Sequence, residues 1–172
     1  MSALYTYTFT PLLRGLKSLK TTLQKAESHA QANNIAPETY VTASLIDDMK
    51  PLSFQVFIVA NAATKVLARS TFVEPPQQED TDKTFDDFYA RIDETIAALE
   101  KVDVEVLKAN EGKTFKAPLG PIEAEFTPES YATSYAMPNF FFHLVTAYGI
   151  LRAKGVPVGK LDYLKDFLDV QL

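Results

Sequence analysis

From Ser130 to Leu151 the chain reads SYATSYAMPNFFFHLVTAYGIL, without a single Asp, Glu, Lys or Arg. A helix at the surface of a globular protein has an apolar stripe and a charged back. This stretch lacks the back, so it predicts a helix covered on nearly all sides, the most buried member of its fold. It is not uniformly apolar. Tyr131, Tyr135, Asn139 and His143 recur at i, i+4 and share one helical face, with Thr146 and Ala147 next. Phe140, Leu144, Tyr148 and Leu151 form the adjacent stripe. A buried polar seam needs hydrogen-bond partners, because each unpaired group costs about 1–3 kcal/mol. Other helices, water or a ligand could supply them. The stretch is long enough to cross a bilayer. It nevertheless carries Asn139, His143, Pro138 and several hydroxyls, no basic cluster flanks it, and there is no second span, so no membrane is expected.

At 172 residues the chain is expected to be one domain, 1–172. Such a length buries enough surface to fold without a disulfide or structural metal. There is no cysteine, which excludes thiol catalysis and Cys-ligated zinc. The net charge is −5 and no two basic residues are adjacent, which argues against a nucleic-acid groove. The N-terminal MSALYTYTFTPLL has no basic n-region and no small-residue cleavage site, so no signal peptide is expected and the location is expected to be cytoplasmic.

Tyr5, Tyr7 and Phe9 alternate with threonines, the pattern of a strand or an extended arm. Thr10-Pro11 predicts a helix start with Thr10 as N-cap, and Leu12, Leu16, Leu19, Leu23 and Ala26 continue it to Asn33-Asn34. His29 near its end reads as an exposed histidine favoured by the helix dipole, with a ligand role as the alternative. Pro37-Glu38 opens a short turn or helix. Leu52, Val56, Val59, Ala60, Ala63 and Leu67 predict a second long helix, with Asp47 or Asp48 as its cap. Gln55, one turn in, is either a core hydrogen-bond partner or a pocket residue. Thr84 with Asp87 predicts a capping pair for a third helix bearing Phe85, Phe88, Ile92, Ile96 and Leu99. Its other face, with Asp86, Arg91, Asp93, Glu94 and Glu100, reads as a solvated back. Asp103 caps a further short turn. Phe115–Leu119 and Ile122–Phe126, joined at Gly120-Pro121, predict a small hairpin. Thr127-Pro128 starts the uncharged fourth helix, Pro138 is expected to kink or break it, and Lys154-Gly155 ends it. Leu161, Leu164 and Leu168 predict a last short helix within the tail to Leu172. The fold class is therefore mainly all-α, a four-helix bundle with a short hairpin before its last long helix.

Several segments resemble a known family. They are Asp48-Met49-x-Pro51-Leu52-x-x-Gln55-Val56, Pro138-Asn139-Phe140-Phe141-Phe142-His143, Thr146-Ala147-Tyr148-x-Ile150-Leu151-Arg152, Arg14-Gly15-Leu16 and Gly155-Val156-Pro157-x-Gly159-Lys160. Together they are similar to the domain of unknown function numbered nineteen ninety-three, within the DinB/YfiT-like up-down-down-up four-helix bundles. The resemblance implies a zinc or nickel site of three histidines, one from the second helix and two from an HxxxH on the fourth, and transferase or isomerase activity with thiol cofactors. His143 matches the first histidine of HxxxH. Ala147 stands at the second, and Gln55 near the second-helix ligand. No metal or other cofactor is therefore expected.

Two functional readings follow. In the first, a pocket between the second and fourth long helices binds a small molecule. His143 is the acid/base candidate, since histidine alone titrates near neutrality unperturbed. Gln55 and Asn139 orient the ligand, Tyr131, Tyr135 and Tyr148 line the walls, and Asp48 is a further ligand-binding candidate. In the second, the protein is a non-catalytic homodimeric bundle, with the aromatic N-terminal arm and apolar tail covering a partner and His143 a core residue bonded to Gln55 or a tyrosine.

Overall fold

The computed structural model describes residues 2–168. Four long helices dominate: α1 (Thr10–Ala32), α3 (Leu52–Thr71), α4 (Phe85–Glu100) and α7 (Met137–Ala153). Shorter ones are α2 (Glu38–Val41), α5 (Val104–Ala109), α6 (Pro128–Tyr131) and α8 (Lys160–Leu164). Between α5 and α6 lies the two-stranded hairpin, β1 (Phe115–Leu119) and β2 (Ile122–Phe126). Phe115 pairs with Phe126 and Leu119 with Ile122, as the alternation predicts. The turn depends on Gly120, whose φ of 62° suits a residue without a Cβ.

Side-chain pairs along the helices fix their directions. Lys17–Glu100, Lys20–Asp93 and Glu27–Tyr89 run α1 against α4. Gln55–His143 and Arg69–Tyr131 run α3 against α7. Phe57 meets Arg91 near the start of α3, and Leu67 and Thr71 share a cavity with Ala98 and Lys101 near its end, so α3 and α4 are parallel neighbours. The topology is up-down-down-up. α1 and α3 each pack on both α4 and α7 and sit diagonally across the bundle. Parallel neighbours need a connection that climbs back a whole helix, roughly 25 Å for sixteen residues. The proline-rich segment before α4 does this, and Arg91 straps it down. The guanidinium donates to the Asp82 carboxylate and to the Glu79 carbonyl, 2.9 Å away. Arg91 is thus a half-buried tie and not part of a solvated back.

The caps at Thr84/Asp87, Asp103 and Thr127, and the left-handed exits at Asn34 and Gly155, match the sequence reading. Four expectations are corrected. Tyr5–Phe9 is neither strand nor extended arm. It is a π-helical turn continuous with α1, in which Thr10 N–H donates to the Tyr5 carbonyl, so Thr10 is no N-cap. Pro138 does not break its helix. A second π-helical turn, Ala132–Ala136, joins α6 to α7, with Met137 N–H donating to the Ala132 carbonyl. Both π turns end just before a proline that has no N–H to give and whose ring crowds the carbonyl four residues back. The wider turn relieves that crowding without ending the helix. Neither Asp47 nor Asp48 caps α3: Pro51 occupies the N-cap position, and no side chain bonds the first turn. Finally, α7 is not covered all round. Phe142 is 60% and Val145 51% exposed, because α7 stands at a corner and its outward face is met only in part, by α8. The final short helix is present as α8, while residues 169–172 lie outside the described residues. No helix among the described residues is long and apolar enough to cross a membrane.

Candidate functional site

The antiparallel packing of α3 on α7 sets two polar rows face to face. α6, the π turn after it and α7 bring Tyr131, Tyr135, Asn139 and His143, and α3 brings Gln55, Asn61, Lys65 and Arg69. The rows do not seal against each other. They leave a cavity of about 140 Å³ lined by residues that include Asn61, Lys65, Arg69, Tyr131, Asn139 and His143, with Pro118 of β1 over it.

At the closed end, Gln55 is 2% exposed and its amide is used twice. Nε2 donates to the Lys50 carbonyl at 2.9 Å, and Oε1 lies 2.7 Å from His143 Nδ1. An amide oxygen can only accept, so Nδ1 carries the proton and Nε2 keeps the lone pair in the neutral ring. Nε2 has no protein partner and is not sealed from solvent among the described residues. The ring is wedged edge-on against Phe54, centroids 5.9 Å apart. Burial holds the imidazole below the usual histidine range. His143 is therefore a neutral, oriented base near pH 7.

At the other end, the Arg69 guanidinium lies 4.4 Å from the centroid of the Tyr131 ring and 5.8 Å from that of Phe115. Lys65, one turn before Arg69, is held below the ordinary lysine range by burial first and by the Arg69 charge second. Burial raises the Tyr131 phenol.

Of the residues singled out in sequence, the fold brings His143, Gln55, Asn139, Tyr131 and Tyr135 together around the cavity. It does not bring Tyr148 or Asp48. Tyr148 sits on another face of α7, donates to the Val158 carbonyl at 3.3 Å and packs on Tyr163. Asp48 is exposed in the turn before α3 and away from the cavity lining. His29 is not an exposed histidine: its Nδ1 is 2.9 Å from the hydroxyl of buried Tyr40. Asn61, Lys65, Arg69 and Pro118 were missed. The first three recur at i, i+4, i+8, a visible signal but one that any solvated helix back also carries.

The three-histidine metal site implied by the resemblance can be tested on the donors present. Gln55 and His143 are adjacent, as the two matching positions require, but they are hydrogen-bonded to each other. Ala147 is fully buried and has no donor atom. Among the described residues no three His, Cys, Asp or Glu side chains group around one point. One imidazole and a neutral amide do not fit a zinc site that needs three basic ligands.

No curated protein matches the chain. Among solved structures it is similar to a DinB family member protein from Shewanella denitrificans, with 32% identity, a TM-score of 0.83, and 94% of this chain and 91% of that chain covered. The family model described as Domain of unknown function (DUF1993) matches residues 4–164. The chain belongs to this DUF1993 family, on a DinB-like bundle.

Proposed function

We propose that the cleft between α3 and α7 binds a small molecule and that His143 serves there as its acid/base group. The observation that carries this reading is that His143 lines the cavity with the lone pair of Nε2 free of any protein partner among the described residues. Its Nδ1 bond to Gln55 fixes the tautomer, and a core histidine would make that bond too. Gln55 is the positioning residue. Asn139 offers an amide, and Tyr131 and Tyr135 give walls with polar tips. Proton transfer of the transferase or isomerase kind found in related bundles suits such a group. The donor set leaves no role for zinc or nickel. Untagged protein is expected to purify without either in stoichiometric amount. About one metal per chain, kept through dialysis and lost in His143→Ala, would overturn this part of the reading.

A thermal-shift screen of small metabolites tests the pocket. A ligand at a hundred times its Kd adds about 2.7 kcal/mol of stability. That gain should vanish in His143→Ala, and an unchanged gain in the variant refutes the reading.

A homodimer is the second reading, and one observation favours it. Val145, Tyr148, Tyr163 and Leu164, with Lys160, line a mainly apolar groove between α7 and α8, and Phe142 of α7 is exposed as well. Of the aromatic N-terminus only Tyr7 is free to join a partner, at 77% exposed, since Phe9 is buried and Tyr5 half-buried. Light scattering at micromolar concentration decides the matter: 19.1 kDa is the monomer mass.

A further inference from the structure

We infer that the Lys65–Arg69 end of the same cleft is a subsite for the anionic group of the ligand, a carboxylate or phosphate. The inference deepens the pocket reading and rests on it. Its starting point is a charge imbalance. The chain has five more acidic than basic charges, and of its half-buried cations Lys20, Lys25 and Arg91 have carboxylate partners. Lys65 and Arg69 do not. Among the described residues neither has a carboxylate within ion-pair distance, although they stand one helical turn apart on α3. Two like charges at i, i+4 repel, and burial adds to the cost. The rings of Tyr131 and Phe115 hold Arg69, and an anion between the two cations would offset their repulsion.

The surroundings describe what would fit. Lys65 and Arg69, with Asn61 and Pro118, form the wall shared by the His143 cavity and an adjoining one of about 360 Å³ that opens under the crossover segment. Glu74 and Glu79 line that second cavity, yet neither ion-pairs with the two cations. Their charge weighs against any anion, and more against a large polyanion than against one compact singly charged group. Stacking on Tyr131 and Phe115 restricts the Arg69 guanidinium, so little entropy remains to be lost on binding. The Asn61 amide completes a set of donors. Lys65 lies roughly 15 Å of helix rise beyond Gln55. A ligand clamped here by its anion would present a carbon body along the cleft toward His143. The class is a small organic acid or phosphate ester and not a neutral apolar compound.

Inorganic phosphate is the probe, with acetate for the carboxylate source and chloride at matched ionic strength as the reference. Phosphate or acetate should raise the Tm beyond chloride, and the excess should disappear in Lys65→Met. Arg69→Gln should also abolish it, but loss of its ring contacts could unfold that variant, so Lys65→Met carries the test. His143→Ala should keep the anion response. If it does so while losing the response to a metabolite, both readings stand. If the anion response is kept in Lys65→Met, or never exceeds chloride, the subsite is wrong, whatever His143 does. Larger stabilisation by phosphate than by acetate assigns a phosphate ester, and the reverse order a carboxylate.

Discussion

Asn139 and Phe140 are neighbours in the chain and lie about 100° apart around α7. Phe140 faces α1 and has no exposed surface. Its ring edge presses so close to Gly15 that a Cβ there would lie 2.5 Å from one ring atom and 2.8 Å from the next. Asn139 faces α3 across an open cavity and makes no side-chain hydrogen bond among the described residues. One helix thus serves a filled seam on one side and a hollow one on the other. Filled seams are made of side chains that gain free energy by touching. The hollow one is lined by polar groups that close on each other only at its ends, Gln55 on His143 and Arg69 on Tyr131.

The largest effect should come from emptying the filled seam. Phe140→Ala should cost about 3–5 kcal/mol, seen as a lower midpoint in urea unfolding at an unchanged slope. A loss under 1 kcal/mol would mean the α1–α7 seam is looser than described.

Overfilling the same seam should come next. Gly15→Ala gains about 0.5–1 kcal/mol of helix propensity but drives a methyl into a ring that has nowhere to go. Overpacking of this kind costs about 1–3 kcal/mol, so net destabilisation is expected. Phe140→Leu should cost less in the Gly15→Ala background than in the wild type, a coupling that a double-mutant cycle would show.

The filled seam was legible in the sequence and the hollow one only by half. Leu12, Leu16, Leu19, Val56, Val59, Phe88, Ile92, Phe140 and Leu144 recur at helical spacing, and apolar periodicity states directly which face is buried. The Tyr131–His143 row was legible because an uncharged stretch makes polar residues conspicuous. The facing row on α3 was not. Asn61, Lys65 and Arg69 were not singled out, since their spacing is one that any solvated back carries, and only the antiparallel pairing of α3 with α7 makes them a wall. Tyr148 failed for a related reason: shared helical composition placed it with the other tyrosines, but its stripe faces Val158. The π turns were hidden because an i−5 hydrogen bond adds a residue to one turn without any residue type that demands it. At Tyr5–Phe9 the aromatic alternation pointed to a strand instead.

The hollow seam responds to protons. Burial lowers the folded-state pKa of His143 below its unfolded value near 6.5. The unfolded chain therefore takes up this proton first. Stability from this group is complete above pH 6.5 and is lost as the pH falls toward the lowered folded value. Gln55→Glu should reverse the sign. A carboxylate 2.7 Å from Nδ1 favours the imidazolium, so the pKa should move above 6.5 and the stabilisation should fade as the pH rises through it. NMR titration of the His143 ring protons in both proteins reads the two directions. A shift in the same direction in both would mean that the Gln55 contact does not govern this ring.

The smallest effect should come from Asn139→Ala, one position from the largest. The change removes an amide that bonds no protein group among the described residues, so it orphans no donor or acceptor there. It opens no cavity, because the space beside it is already open. Alanine is also the better helix former by a few tenths of a kcal/mol. Stability should stay within about 0.5 kcal/mol of the wild type, and the midpoint in urea should barely move. Binding should not be spared. A metabolite that stabilises the wild type should stabilise Asn139→Ala less, because its polar group loses the only amide that α7 offers beside His143. A drop in stability comparable to Phe140→Ala would instead mean that Asn139 is packed, and that the two sides of α7 are not the filled and hollow pair described.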